Sequence, residues 1–276
     1  MKLLFPVPSE TSSDDALRMA IDTAAIHSGK VRLLFVVDEE GIGRLEAGAP
    51  PGAIEMAQEA FESLETREIA RGLQAIESAK ETCLAAGIAT DAEVTTGSPH
   101  ETIGRAAADC DLLVSGIGSR YSFGGIDRPA ALALSFMKER TITVLLAASP
   151  YRPVRTVAVG CGGGDRTLRA VGAMAKLGLW RAGCRIVLIA VDDDPERAEQ
   201  KLSGPRKILS DAGYGDLSEV RAPMPKVENF VAACKRESAD VAVLGGFGQH
   251  RWDDLFGFSI TTRMLREAHQ HLFLYM

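Results

Sequence analysis

Two glycine-rich segments in the second half of this chain have residue types and spacing suited to holding an anion. Gly245-Gly246-Phe247-Gly248 follows a short apolar run, and Gly257-Phe258-Ser259-Ile260-Thr261 opens an amphipathic stretch shortly after it. Glycines lack a Cβ, so backbone N–H groups can approach a phosphate closely, and a helix amino terminus adds partial positive charge. Ser259 and Thr261 can each donate a hydroxyl hydrogen to a phosphate oxygen. His250 and Arg251, just past the glycines, can reach the same anion or face solvent. The other segment is Cys161-Gly162-Gly163-Gly164-Asp165, whose N–H groups can join an anion nest beside Gly245 and Gly248. Both segments also read as simple strand-to-helix turns, the second feeding a helix capped by Asp165. Spacing alone leaves the two readings open.

Other chemistry finds little support. Cys83, Cys110, Cys161, Cys184 and Cys234 show no CxxC spacing and read as small buried apolar residues. His269 and His271 lie close together but have no third ligand beside them, so no metal site is expected. Trp252 reads as a packing or contact residue, and the Glu-rich stretch 55–81 as a solvated helix face or a lid. No Ser/His/Asp or Cys/His set and no paired-carboxylate motif is visible, so catalysis has no named nucleophile or base.

The elements that must position these residues come in two similar series. Residues 111–147 and 240–275 each run from an acidic residue through an apolar run, a glycine loop and an amphipathic stretch to a closing apolar run. A spacing this long means two similar domains rather than a solenoid. In the first half, strands are expected at 2–7, 31–37, 88–96, 111–116 and 141–147. Helices are expected over 13–28, 53–86, from Pro99, and over 129–139, with a loop at 40–52. After the proline-bearing linker 149–154, strands are expected at 157–160, 185–191, 217–222, 241–245 and 272–275. Helices fall at 165–181, 195–212, 226–237 and 257–268. Strand alternating with helix means an α/β fold: two similar doubly wound, five-stranded parallel sheets, over 1–148 and 154–276. Ligands of such sheets bind beyond the carboxyl ends of the strands, where strand order reverses. Both glycine segments leave strands at that edge.

The composition, 46% hydrophobic and 25% charged, is that of an ordinary globular protein. No apolar run approaches the ~20 residues of a membrane span, and MKLLFPVP reads as a first strand rather than a leader. Net charge is −6, which argues against a nucleic-acid partner. The charge is uneven: residues 1–150 carry 13 basic and 22 acidic side chains, residues 151–276 carry 18 and 15. The asymmetry fits two halves that attract each other or a second half better suited to an anion, and surface drift gives the same pattern.

The repeat and its loop spacing resemble the universal stress protein family. In that family the loop after the fourth strand reads Gly-x-x-Gly, nine residues, then Gly-Ser/Thr. Gly245, Gly248 and Ser259 match, with Phe258 in place of the last glycine. In the first half Gly116 matches, but Ser119 stands at the second glycine and Pro129-Ala130 at the closing pair. Pro6 ending the first strand and Asp111 and Asp240 opening the fourth extend the resemblance along the whole chain.

The resemblance implies two Rossmann-like domains of the adenine nucleotide alpha hydrolase type in a cytoplasmic stress-response regulator. Fifth strands would pair within the chain, and a homodimer would form. It further implies ATP or AMP in the C-terminal domain, held by Gly245, Gly248, Ser259, Thr261, Val191, Gly162 and Gly163, with no catalytic residue and no metal. Val36 and Val191 stand at the family's adenine-contact position. The aspartate that the family places after the first strand is Pro8 in one half and Gly162 in the other, with Asp165 three residues on. A phenylalanine at position 258 either fills the phosphate space, which excludes a triphosphate and leaves room for a smaller ligand such as AMP, or swings away into the core. The alternative is a nucleotide-independent scaffold with decayed sites. A third reading is an ATP-hydrolysing enzyme: Gly162, Gly163 and Asp165 also resemble the Ser-Gly-Gly-x-Asp-Ser loop of PP-loop pyrophosphatases, but Cys161 and Arg166 depart from it.

Overall fold

The structure is a computed structural model that describes residues 1–9, 14–47, 54–121, 142–245, 260–267 and 269–275. It divides into two units, Met1–Phe136 and Met137–Met276.

In the first unit the elements run β1 (Lys2–Pro6), α1 (Asp15–Ala25), β2 (Lys30–Asp38), α2 (Glu39–Ala47), α3 (Ile54–Ala85), β3 (Ala89–Gly97), α4 (Pro99–Ala108) and β4 (Leu112–Gly116). The strands are parallel in the order β3-β2-β1-β4. β1, β2 and β4 are apolar on both faces because helices must cover a parallel sheet, and Leu3, Leu4, Val31, Leu33 and Leu112 are fully buried. Each such side chain contributes about 1.5–3 kcal/mol of burial. β3, which alternates polar residues, is the half-exposed edge.

In the second unit they run β5 (Val144–Ala147), β6 (Thr156–Cys161), α5 (Asp165–Lys176), β7 (Arg185–Val191), α6 (Pro195–Asp211), β8 (Leu217–Ala222), α7 (Lys226–Arg236), β9 (Val241–Gly245), α8 (Ile260–Glu267) and β10 (His271–Tyr275). Strand order is β5-β10-β9-β6-β7-β8. All neighbours are parallel except β10 and β5, which pair antiparallel with Leu272 opposite Leu146 and Leu274 opposite Val144. The two closing apolar runs of the sequence thus pair with each other. In both units order reverses around the first strand of the repeat, between β1 and β4 and between β6 and β9.

The repeated aspartate has a structural task in each unit. Asp111 Oδ2 accepts the Lys2 N–H at 2.8 Å. Asp240 Oδ2 accepts the N–H groups of Arg155 at 2.8 Å and Thr156 at 3.0 Å. Each carboxylate clips the amino end of the repeat's first strand, at the sheet edge opposite the glycine loops.

Three local expectations are corrected. The loop expected at 40–52 begins as helix α2, because Asp38 Oδ1 accepts the Gly41 N–H at 2.9 Å and Ile42 is buried. The helix expected over 165–181 stops at Lys176, since Gly178 and Trp180 take positive φ and turn Leu179 and Trp180 into the core. Asp165 does not cap that helix: it is the first helical residue, and Gly164 holds the N-cap position.

Candidate functional site

At the carboxyl edge of the second unit, β6 and β9 end on either side of the amino terminus of α5. A Cβ on Gly245 would lie 2.7 Å from the Arg166 carbonyl carbon, so only glycine lets α5 approach β9 this closely. Gly163 has φ +80°, the left-handed conformation that turns the chain from β6 into α5. Thr167 completes the turn, accepting the Gly162 N–H at 3.2 Å and donating to the Gly160 carbonyl at 3.3 Å. Gly164 at the N-cap offers α5 no side chain, so the N–H groups of Asp165 and Arg166 keep their donor capacity, while that of Thr167 donates to the Gly164 carbonyl at 3.1 Å.

Two lysines surround this turn. Lys201, from α6, lies against Gly163: its Cγ is 2.9 Å from where a Cβ on that glycine would stand. Its Nζ donates to the Val191 carbonyl at 2.9 Å and to Asp192 Oδ2 at 2.6 Å. Lys226, the first residue of α7, brings Nζ to 3.7 Å from the corresponding point on Gly162. No carboxylate among the described residues pairs with it. Although much of its stem is exposed, the protein around the ammonium, then repulsion from Lys201, lowers its pKa from the ordinary lysine value. Asp192 behaves oppositely. The Lys201 hydrogen bond, then the Asp194 N–H, hold its carboxyl well below the usual range.

Gly162, Gly163, Gly245 and Val191 therefore share one edge, with Lys201 joining Gly163 to Val191. Val191 is buried at the end of β7. Thr261 is buried in the first turn of α8, which packs on α7. Gly248, Phe258 and Ser259, like His250, Arg251 and Trp252, lie outside the described residues. Sequence reasoning missed Lys201 and Lys226. Lys226 carried a readable signal: a cation in the first turn of a helix opposes the helix dipole and calls for an anion beside it.

The first unit is built differently at the same edge. Ser9 N–H donates to the Arg120 carbonyl at 2.9 Å, and Ser9 Oγ lies 3.1 Å from the same oxygen. Ser119 is buried with its N–H on the Gly116 carbonyl at 3.2 Å. The Tyr121 hydroxyl sits 2.7 Å from Ser115 Oγ, also buried. The loop after β4 is thus tied to the loop after β1 and filled by its own side chains. Pro129 and Ala130 lie outside the described residues.

A parallel sheet whose order reverses at a glycine turn defines a Rossmann-like α/β protein. Sequence comparison adds a likeness: residues 1–126 match the Universal stress protein family. No curated protein matches the chain. Among solved structures, a universal stress protein from Archaeoglobus fulgidus DSM 4304 is similar at TM-score 0.62 and 14% identity, over 99% of this chain and 95% of that one. A functionally unknown protein from Pseudomonas aeruginosa PAO1 is similar at TM-score 0.56 and 13% identity, over 99% and 92%. At these identities the likeness is one of fold.

Proposed function

We propose that the chain is a tandem universal stress protein, with domains over 1–148 and 154–276. In this reading it acts as a cytoplasmic nucleotide-responsive regulator whose C-terminal domain takes ATP or AMP. The observation that carries this reading is the uncapped amino terminus of α5, faced by an unpaired Lys226. Lys226 has a lowered pKa there, and a bound phosphate would raise it again. The backbone of Gly162, Gly163 and Gly164 with Lys226 takes the phosphate from the β6 side. Gly245, Gly248, Ser259 and Thr261 take it from the β9 side.

The phosphate half fits these residues better than the base half does. Gly162 stands where the family's aspartate would reach the ribose, and the Val191 carbonyl already accepts from Lys201. Phosphate contacts then dominate affinity. With Phe258 at the loop, AMP binds at least as well as ATP.

Thermal-shift titration with ATP, ADP and AMP tests the proposal, using the wild type and the variants Lys226→Ala, Gly248→Ala and Ser259→Ala. A saturable rise in Tm that the variants weaken about tenfold is the expected result. No shift at millimolar nucleotide leaves the second reading, a nucleotide-independent scaffold. The specific observation favouring that reading is the Lys201 bond to Val191.

A further inference from the structure

At the opposite edge of the second unit, where β9 and β10 begin, lies a cavity of about 380 Å³. That is within the range of small-molecule sites. Arg152, Lys235, Ser238, Asp240, His269 and Gln270 line it, with His271 at its base. His271 is buried and fixed in one tautomer. The Ala148 N–H donates to Nδ1 at 3.0 Å, so Nδ1 is the acceptor and Nε2 carries the proton, which it donates to the Arg152 carbonyl at 3.1 Å. These two bonds pin the strap 148–152 to β10 and hold Arg152 at the cavity.

No carboxylate among the described residues pairs with Arg152. Lys235 Nζ lies 2.7 Å from Glu267 Oε2, which leaves its ammonium two further hydrogens to donate. Asp240, the one carboxylate in the lining, has Oδ2 turned onto the N–H groups of Arg155 and Thr156. The cavity therefore offers a guanidinium, an ammonium, a hydroxyl, an amide and an imidazole. This set suits charged oxygens, and an unpaired Arg is built for two of them at once.

We propose that this cavity is a second ligand site, independent of the glycine edge, and that it takes a small organic anion through a carboxylate or phosphoryl group on Arg152 and Lys235. It does not rest on the nucleotide reading.

The test is calorimetric titration at fixed ionic strength in the Lys226→Ala background, which weakens anion binding at the β6 turn and separates it from this cavity. Citrate and inorganic phosphate form separate arms. Saturable binding in either arm, weakened at least tenfold by Arg152→Ala with Lys235→Ala and weakened less by Arg152→Lys, which keeps the charge but loses the fork, supports the site. The responding arm identifies the anionic group. Far-UV circular dichroism of each variant separates lost binding from lost folding, and Arg152→Ala alone serves if the double variant is unfolded. Absence of saturable binding in both arms, or binding that the Arg152 variant leaves unchanged, overturns it.

Discussion

Individual side chains at the glycine edge carry opposite electrostatic burdens, and both can be measured. Asp192 is held below the usual carboxylate range by Lys201 and the Asp194 N–H. A depressed folded value means that its stabilisation is complete above the unfolded value of about 3.9. It is lost as pH falls through the folded value. Asp192→Asn should therefore lose less Tm than the wild type between pH 7 and pH 3. Equal losses would show that the Lys201 bond adds nothing. Gly245→Ala would press a methyl onto the Arg166 backbone, costing about 1–3 kcal/mol in urea denaturation. The cysteines are also ordered by burial, which pushes the Cys83 thiol up to about 11 and those of Cys161 and Cys234 up to about 12. The thiolate is the reactive form, so at pH 8 these three should resist a disulfide reagent in the native protein while Cys110 and Cys184 react first. Labelling followed by peptide mapping gives the order. Burial of Cys83, Cys161 and Cys234 was legible in the sequence because they lack metal or redox spacing, whereas Cys110 and Cys184, read the same way, are half-buried. The role of Lys201 was not legible, because its partner Asp192 is brought to it by the packing of α6 beside β7.

Elements were more legible than sites. Apolar runs gave the strands their places because a parallel sheet is buried on both faces, a demand that shows in composition alone. Helix ends were harder, since they depend on single contacts: Asp38 on Gly41 starts α2, and positive φ at Gly178 helps stop α5. The pair β5 and β10 tests how much one junction contributes. Phe273 is fully buried in β10 and meets Trp180 edge-on with ring centres 6.0 Å apart. Phe273→Ala should cost about 3–5 kcal/mol by chemical denaturation, whereas a cost below 1 kcal/mol would mean the strand is loosely held. Tyr214 ties α6 to the end of α5 through a hydrogen bond of 2.7 Å to the Leu179 carbonyl. Tyr214→Phe should cost about 1 kcal/mol.

At the scale of the molecule the repeat was readable from sequence, and so was the inequality of its halves, since Ser119 stands where Gly248 stands in the second copy. The way the first unit fills its own edge, through Ser9 with Arg120 and Ser115 with Tyr121, depends on contacts between distant residues that no local pattern encodes. The pairing of β5 with β10 has a consequence for dissection. A fragment beginning at residue 154 lacks β5 and bares one edge of β10, an invitation to strand pairing between molecules. Sedimentation should show it self-associating more strongly than a fragment beginning at 137. The aspartate clips carry a further consequence, in time. Lys2 and its partner Asp111 are 109 residues apart, and Arg155 and its partner Asp240 are 85 apart. At a synthesis rate of roughly 5–20 residues per second, each early strand emerges from the ribosome on the order of ten seconds before the residue that secures it. Throughout that interval the nascent chain carries a greasy ribbon with one side unclaimed, so the speed of translation across each repeat becomes part of how this protein reaches its fold.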